Sequence, residues 1–323
     1  MNATETPQEY YLRQSVLTDP GPYGFLFDEM PDDLEVMKRS VRGIYLHFRK
    51  GPRYGYEIPP ARRHEPDLRH VEAILARTYS LDPRPLFEPR SGAHRFVGCC
   101  RDAAMVMCSM LRHKGIPARI RLGFTTYHEE KWTDDGRPFN QDHVITEYWR
   151  DGAWRLIDTS DLPHIEFDTT DLSRDKFLVG GRVWQLCRRG EVDPTHFGHG
   201  YGDGFSSWWA LRDNLVRDLA AQNKVEVLLW DVWGWMHETF TPSEDDLALL
   251  DRLAALTQGG DATWNEIRAL YRDDRFRAPD RVTLFSPVAP PREVDWRRPP
   301  RLDFDEPRPL RPASPTPIAL TTL

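Results

Sequence analysis

Cysteine is scarce in this chain: four in 323 residues, at positions 99, 100, 108 and 187. Two are adjacent and none forms a C-x-x-C pair, which argues against a disulfide framework and a cysteine-rich zinc site. A reducing, cytoplasmic compartment is the resulting expectation. Basic charge is not in excess either, since 43 Lys and Arg face 50 Asp and Glu for a formal charge of -7. Phosphate binding needs clustered Lys and Arg, so nucleic acid is not an expected partner. Long apolar runs are missing; Val225 to Trp230 is interrupted and far too short to span a bilayer. Met1 to Tyr10 lacks a basic start followed by an apolar stretch, so neither a secretion signal nor a membrane partner is expected. No internal repeat is visible.

Helical signals are plentiful. Pro31-Asp32-Asp33 opens a segment with apolar residues at Leu34, Met37, Val41, Ile44, Tyr45 and Phe48, a helical spacing with acids at its start. A second helix is predicted after Pro66, on the stripe Leu68, Val71, Ile74 and Leu75. From Cys100, the residues Ala103, Ala104, Met107, Met110 and Leu111 mark a third, stopped by Gly115 and Pro117. Ile116, Ala118, Ile120 and Leu122 then alternate with charged Arg119 and Arg121, as in a half-buried strand. A polar and aromatic loop over 124–142 leads to two predicted strands, His143 to Arg150 and Ala153 to Thr159. Asp151-Gly152 between them is a strong hairpin signal. Further on, Leu211, Leu215, Leu219 and Ala220 predict an amphipathic helix, and another is expected over Asp245 to Leu256. Ten prolines between Ser286 and Pro317 predict an extended or disordered tail. The expected organisation is a core with N-terminal helices over 1–205, a helical extension over 206–285 and a proline-rich tail over 286–323.

The chemistry gathers in the middle. A cysteine in the first turn of a helix feels the positive end of the helix dipole, which favours the reactive thiolate. Cys100 is placed there, although a lone cysteine more commonly serves as a small buried residue. The hairpin adds a second argument. A turn at Asp151-Gly152 pairs Arg150 with Ala153 and Trp149 with Trp154, and sets Ile145 opposite Asp158 and His143 opposite Ser160. Side chains alternate with period two, so His143, Ile145, Asp158 and Ser160 share one face. Asp158 is then the diagonal neighbour of His143, about 7–8 Å away at the backbone and within side-chain reach. A carboxylate there can orient an imidazole, giving nucleophile, base and orienter as Cys100, His143 and Asp158.

Residues 98–160 resemble the core of the transglutaminase-like superfamily. The motifs carrying the resemblance are Gly98-x-Cys100-x-Asp102-x-Ala104, Leu111-Arg112-x-x-Gly115-Ile116-Pro117-Ala118-Arg119, His143-x-x-x-Glu147 and Trp154-x-x-x-Asp158. Their register selects Cys100 over Cys99. Further segments, such as Asn214 to Leu219 and Trp230 to Gly234, are similar to bacterial transglutaminase-domain proteins. The resemblance implies an α+β, papain-like fold with the catalytic cysteine at a helix N-terminus packed on an antiparallel sheet, followed by a helical C-terminal extension. It implies cysteine-dependent acyl transfer through a thioester, without a cofactor. Hydrolysis of a peptide-like or small-molecule amide is the first expectation. The alternatives are an amide-forming acyltransferase using an amine acceptor in small-molecule biosynthesis, and a non-catalytic binding or scaffold module. Ile145 stands where Trp is frequent in the superfamily, and no Trp precedes Trp132, so only the backbone N–H of Cys100 is assigned to an oxyanion hole.

The loop over 124–142 is expected to shape the acyl-substrate pocket through Tyr127, Trp132, Phe139 and Asp142. His196-x-x-His199 has no Glu or Cys partner at metal-site spacing, so no metal is expected. Gly200-x-Gly202-x-Gly204 lacks the strand-to-helix context of a phosphate loop. Trp230, Trp233 and Trp235 read as core. Arg217 is expected in a surface or interface ion pair with Asp213 or Glu226.

Overall fold

The computed structural model describes residues 5–128, 133, 136–160, 165–200 and 205–299. The chain begins with α1 (Pro7–Leu12), capped by a Thr6–Glu9 capping box, and a short α2 (Phe25–Asp28). Next comes α3 (Leu34–Ile44), whose N-terminal amide of Val36 donates to the Asp33 carboxylate. This helix stops before the predicted Phe48. Tyr45, Leu46 and His47 instead form β1 (Tyr45–His47), paired in parallel with β2 (Phe96–Gly98). A short apolar run fits either period, and here the strand partner decides. Helix α4 (Val71–Leu81) starts later than the apolar stripe suggested, because Glu65–Asp67 makes a tighter 3-10 turn.

Helix α5 (Cys100–His113) carries the central motif. Gly115 adopts φ +78°, and the Ile116 amide donates to Leu111 O at 2.9 Å, closing the helix with a left-handed cap. The sheet follows, as β3 (Ala118–Thr125), β4 (Asn140–Arg150), β5 (Ala153–Ile157) and β6 (Phe177–Val179). After α6 (Gly180–Arg188) come β7 (Phe197–Gly200) and β8 (Phe205–Ser206). The strand order is β6-β3-β4-β7-β8, with β5 paired to β4. Its pairings are antiparallel except β4 with β7, which run parallel. The long β4 is therefore shared, by β7 at its start and by β5 at its end.

Beyond the sheet lie α7 (Trp208–Gln222), β9 (Asp231–Val232), α8 (Glu244–Leu256), α9 (Trp264–Leu270), β10 (Arg281–Leu284) and β11 (Arg292–Asp295). Strands β11, β10 and β9 make a separate three-stranded sheet. The proline-rich segment is thus ordered at its start: Arg292–Asp295 pairs antiparallel with Arg281–Leu284, its prolines lying outside the paired residues. The rest of the expected tail, 300–323, lies outside the described residues. Helix α5 packs across β3 and β4, and α7 across β3 and β7. One continuous apolar cluster links Leu17, α5, the sheet, α7 and Trp296, so the C-terminal extension shares the core. Leu211, Leu215 and Leu219 are fully buried in it, each contributing roughly 1.5–3 kcal/mol of transfer free energy. No helix among the described residues is long and apolar enough to cross a membrane.

The β4–β5 turn is the hinge of the site. Asp151 has φ +51° and Gly152 φ +75°, the two positive angles of a type I′ turn. The observed register pairs Arg150 with Ala153, Trp149 with Trp154 and Thr146 with Ile157, as the dipeptide predicted. Gly152→Val places a β-branched residue at positive φ, and a loss of about 1–2 kcal/mol in urea denaturation is expected. An unchanged midpoint would show that the turn does not set this register.

Candidate active site

The sequence around Cys100 is shaped by its helix start. Cys99 is the extended N-cap residue, and its amide donates to Asp102 Oδ2 at 2.8 Å. Asp102 is held in turn by Arg101 Nη1 at 3.0 Å, and Arg101 also donates to Glu226 O. Gly98 is required by close approach, since a Cβ there would lie 2.6 Å from Asp102 Oδ2 and 2.5 Å from Phe96 Cε1. The spacing of Gly98, Cys100 and Asp102 therefore seats the thiol at the first residue of α5, where unpaired amides and the dipole favour an anion.

His143 is on β4 and Asp158 directly follows β5, where its amide donates to Thr169 O. The His143 Nε2 to Asp158 Oδ1 distance is 3.0 Å, and Ser160 Oγ is 3.2 Å from the same nitrogen. The Ser160 amide donates to Asp158 Oδ1 at 2.9 Å and the Tyr127 hydroxyl to Oδ2 at 2.5 Å. Both carboxylate oxygens are thus engaged. His143 Nδ1 is buried and makes no hydrogen bond. The imidazole and the Cys100 thiol nonetheless act on each other's protonation, through their close approach and through charge.

The protonation states separate the cysteines. Cys100 is brought down to about 5, chiefly by the Cys99 thiol donating to it; burial opposes this, and the hydrogen bonding and charge of His143 reinforce it. Cys99 is pushed far up by the same bond and by burial. Burial pushes Cys108 and Cys187 up to about 12. For His143, burial works against the charged ring, yet the Asp158 carboxylate and Cys100 raise it to about 10. Burial would raise Asp158, but the charge and hydrogen bond of His143, with His128 and the Tyr127 hydroxyl, hold it well below the carboxylate range. The arrangement favours a thiolate beside an imidazolium near neutrality.

Sequence reading missed His128. Its ring centroid is 4.4 Å from that of His143, edge to face, and burial keeps it well below its ordinary value, hence neutral. Nothing in the local pattern marked it, because it follows the end of β3 in a loop without periodicity. Tyr127, expected against substrate, buries its hydroxyl on Asp158 instead and so holds the carboxylate. Phe139 is buried just before β4. Asp142 lines a large cavity and lies 3.4 Å from His199 Nδ1. Trp132 lies outside the described residues. His128, His143 and Asp158 offer ligand atoms within 4.8 Å of one another. Both Asp158 oxygens and His143 Nε2 are already hydrogen-bonded, whereas His143 Nδ1 and His128 Nε2 are buried with no hydrogen-bond partner. His196 is buried, and His199 turns to Asp142.

The family model of the transglutaminase-like superfamily matches residues 39–159. Over these residues the chain is similar to that superfamily. The match includes α4, α5, β3, β4, β5 and the His143–Asp158 pair, which accounts for the mixed helix-and-sheet, papain-like architecture. A crystal structure from Cytophaga hutchinsonii, provisionally assigned as a cysteine protease, is similar over 55% of this chain and 47% of its own. The identity is 12% and the TM-score 0.32, and the chain spans about half the length of that protein. No curated protein matches the sequence. The matched segment ends just past Asp158, so β6, α6 and the elements up to β11 lie outside it.

Proposed function

We propose that the chain is a cysteine-dependent acyl-transfer enzyme that hydrolyses a peptide-like or small-molecule amide through a thioester. The observation that carries this reading is the contrast among thiols: Cys100 alone is lowered, to about 5, and it is the one beside a carboxylate-held imidazole. In this mechanism the Cys100 thiolate attacks the carbonyl carbon, and the oxyanion is stabilised by the Cys100 amide at the helix start. The His143 imidazolium gives its proton to the departing amine, leaving a neutral ring and an acyl-thioester. Neutral His143 then takes a proton from water, whose oxygen attacks the thioester and regenerates the thiolate. Asp158 keeps the ring oriented throughout, and Tyr127 and Ser160 keep Asp158 oriented. An amine entering in place of water would make the same intermediate a transferase.

p-Nitrophenyl acetate tests this. The wild type is expected to release about one equivalent of p-nitrophenolate in a burst, with an acetyl group found on Cys100 by mass spectrometry. Acetate as the product in glycine buffer supports hydrolysis, whereas N-acetylglycine identifies an acyltransferase. A wild type that releases no more than Cys100→Ser would leave a binding module of the same fold.

A further inference from the structure

A cavity of about 970 Å³ lies against the core, at the upper end of the range for small-molecule sites. Its walls come from β3 and β4, from α7, and from segments near 229–240 and 285–291, so most of them are outside the matched segment 39–159. Cys100, His143 and Asp158 are not among its lining residues, but two lining residues adjoin the site along the backbone. Asp142 lines it and directly precedes His143; Phe48 lines it, and its amide donates to Gly98 O, two residues before Cys100. Asp142 also acts electrostatically on both Cys100 and Arg217. The aromatic faces of Phe48, Trp209, Trp230 and Phe240 give the cavity flat apolar walls. Trp230, read from sequence as core, belongs to this wall, whereas Trp233 is buried.

Arg217, in the cavity wall on α7, is a guanidinium short of partners. Its Nη2 donates to Asp231 O at 3.1 Å, but the Asp231 carboxylate is occupied by Arg69. Its nearest acid, Asp213, is 3.9 Å away and already accepts from Arg212 at 2.8 Å. The Arg217 Nε is buried with no hydrogen-bond partner. The Asp213, Asp231 and Asp142 carboxylates act on its charge, but none accepts a hydrogen bond from it, which leaves donor capacity for an anionic ligand.

We propose that this cavity is the substrate site, and that it takes amides with an aromatic body and a terminal carboxylate, the carboxylate being bound by Arg217. The assignment deepens the acyl-transfer reading and rests on it, because that reading makes the neighbouring Cys100 the consumer of the amide. Aromatic surface against Trp209 and Trp230 supplies apolar burial, while an Nη–H of Arg217 donates to the carboxylate. The scissile amide is then held at the rim near Asp142, towards Cys100.

The test is calorimetric binding to Cys100→Ala protein, which cannot turn over and so reports the cavity independently of the chemistry. The probes are hippurate and hippuramide, which differ in whether the terminal group is a carboxylate or a neutral amide. Hippurate is expected to bind about tenfold or more tightly than hippuramide, a preference that Arg217→Gln removes while hippuramide binding persists. Ala210→Trp, which fills the cavity from α7, is expected to abolish binding of both. Equal affinity for the two probes, equal loss of both in Arg217→Gln, binding that survives Ala210→Trp, or no saturable binding of hippurate at millimolar concentration each overturns the proposal. Failure of the acyl-transfer reading appears separately, as a missing burst with p-nitrophenyl acetate.

Discussion

In His143→Ala the pH at which Cys100 becomes half thiolate is expected to rise well above the wild-type value of about 5, towards that of an ordinary thiol near ~8.5. The sign follows from charge. The imidazolium, raised to about 10 by Asp158 and Cys100, is positive at every pH at which the thiol titrates, so it favours the anion. Removing it leaves Cys100 with the Cys99 thiol, the helix dipole and an opposing burial. At pH 6.5 the thiolate fraction should then fall by roughly a hundredfold if the value reaches that of the free thiol. The alkylation rate falls less, because a thiolate of higher pKa is the better nucleophile, with a Brønsted slope of about 0.4–0.5. The measurement is therefore the inflection of the iodoacetamide rate between pH 4 and 9, resolved for Cys100 by mass spectrometry. Asp158→Asn should produce a smaller rise, since it leaves the ring in place but removes the carboxylate that keeps it protonated. A profile with the same inflection in wild type and His143→Ala would remove the imidazole from the activation of this thiol.

What the sequence made legible here was local or set by a two-residue turn. Asp151-Gly152 fixed the β4–β5 register, and that register brings His143 and Asp158 to within hydrogen-bonding distance. The start of α5 was legible from the apolar spacing that begins at Cys100; the cap itself, in which Asp102 reaches back three residues to the Cys99 amide, was not read. Tyr127 and His128 were not legible in their observed roles. They leave β3 into a segment without periodicity, and only the fold of that segment over β4 carries them to Asp158 and His143. The cavity was hidden for a related reason: it needs α7 packed on β3, about ninety positions away, and alternating patterns do not encode such docking. The same holds for Tyr45 to His47, where pairing with Phe96 to Gly98 overrides a helical spacing.

Glu147 illustrates how a motif residue can act at a distance from the chemistry, and its replacement carries the largest expected loss of stability. It lies on β4 four residues after His143 and is 1% exposed. Its carboxylate accepts from Arg119 Nε at 2.7 Å, Arg121 Nη1 at 3.0 Å and Arg174 Nη2 at 2.6 Å. Arg121 extends the network to Asp218 on α7 and to Thr257 O beyond α8, while Arg119 lies over the Trp154 ring at 4.2 Å. Burial opposes the charge of Glu147, but the three guanidinium groups prevail and hold it far below the carboxylate range. Glu147→Gln removes the anion and leaves Arg119 without a carboxylate in this network and Arg121 with Asp218 alone, both nearly fully buried. Breaking a buried pair in this way costs about 3–5 kcal/mol. A depressed carboxyl pKa stabilises the fold above the unfolded-state value, and that stability is lost as pH falls through the native one. The gap between wild type and Glu147→Gln in urea denaturation should therefore be full at pH 7 and narrow as the pH drops below about 4.5. Equal midpoints at pH 7 would mean that the network is not what joins the sheet to α7. A gap that stayed constant on acidification would instead assign the loss to packing, with no part for the charge.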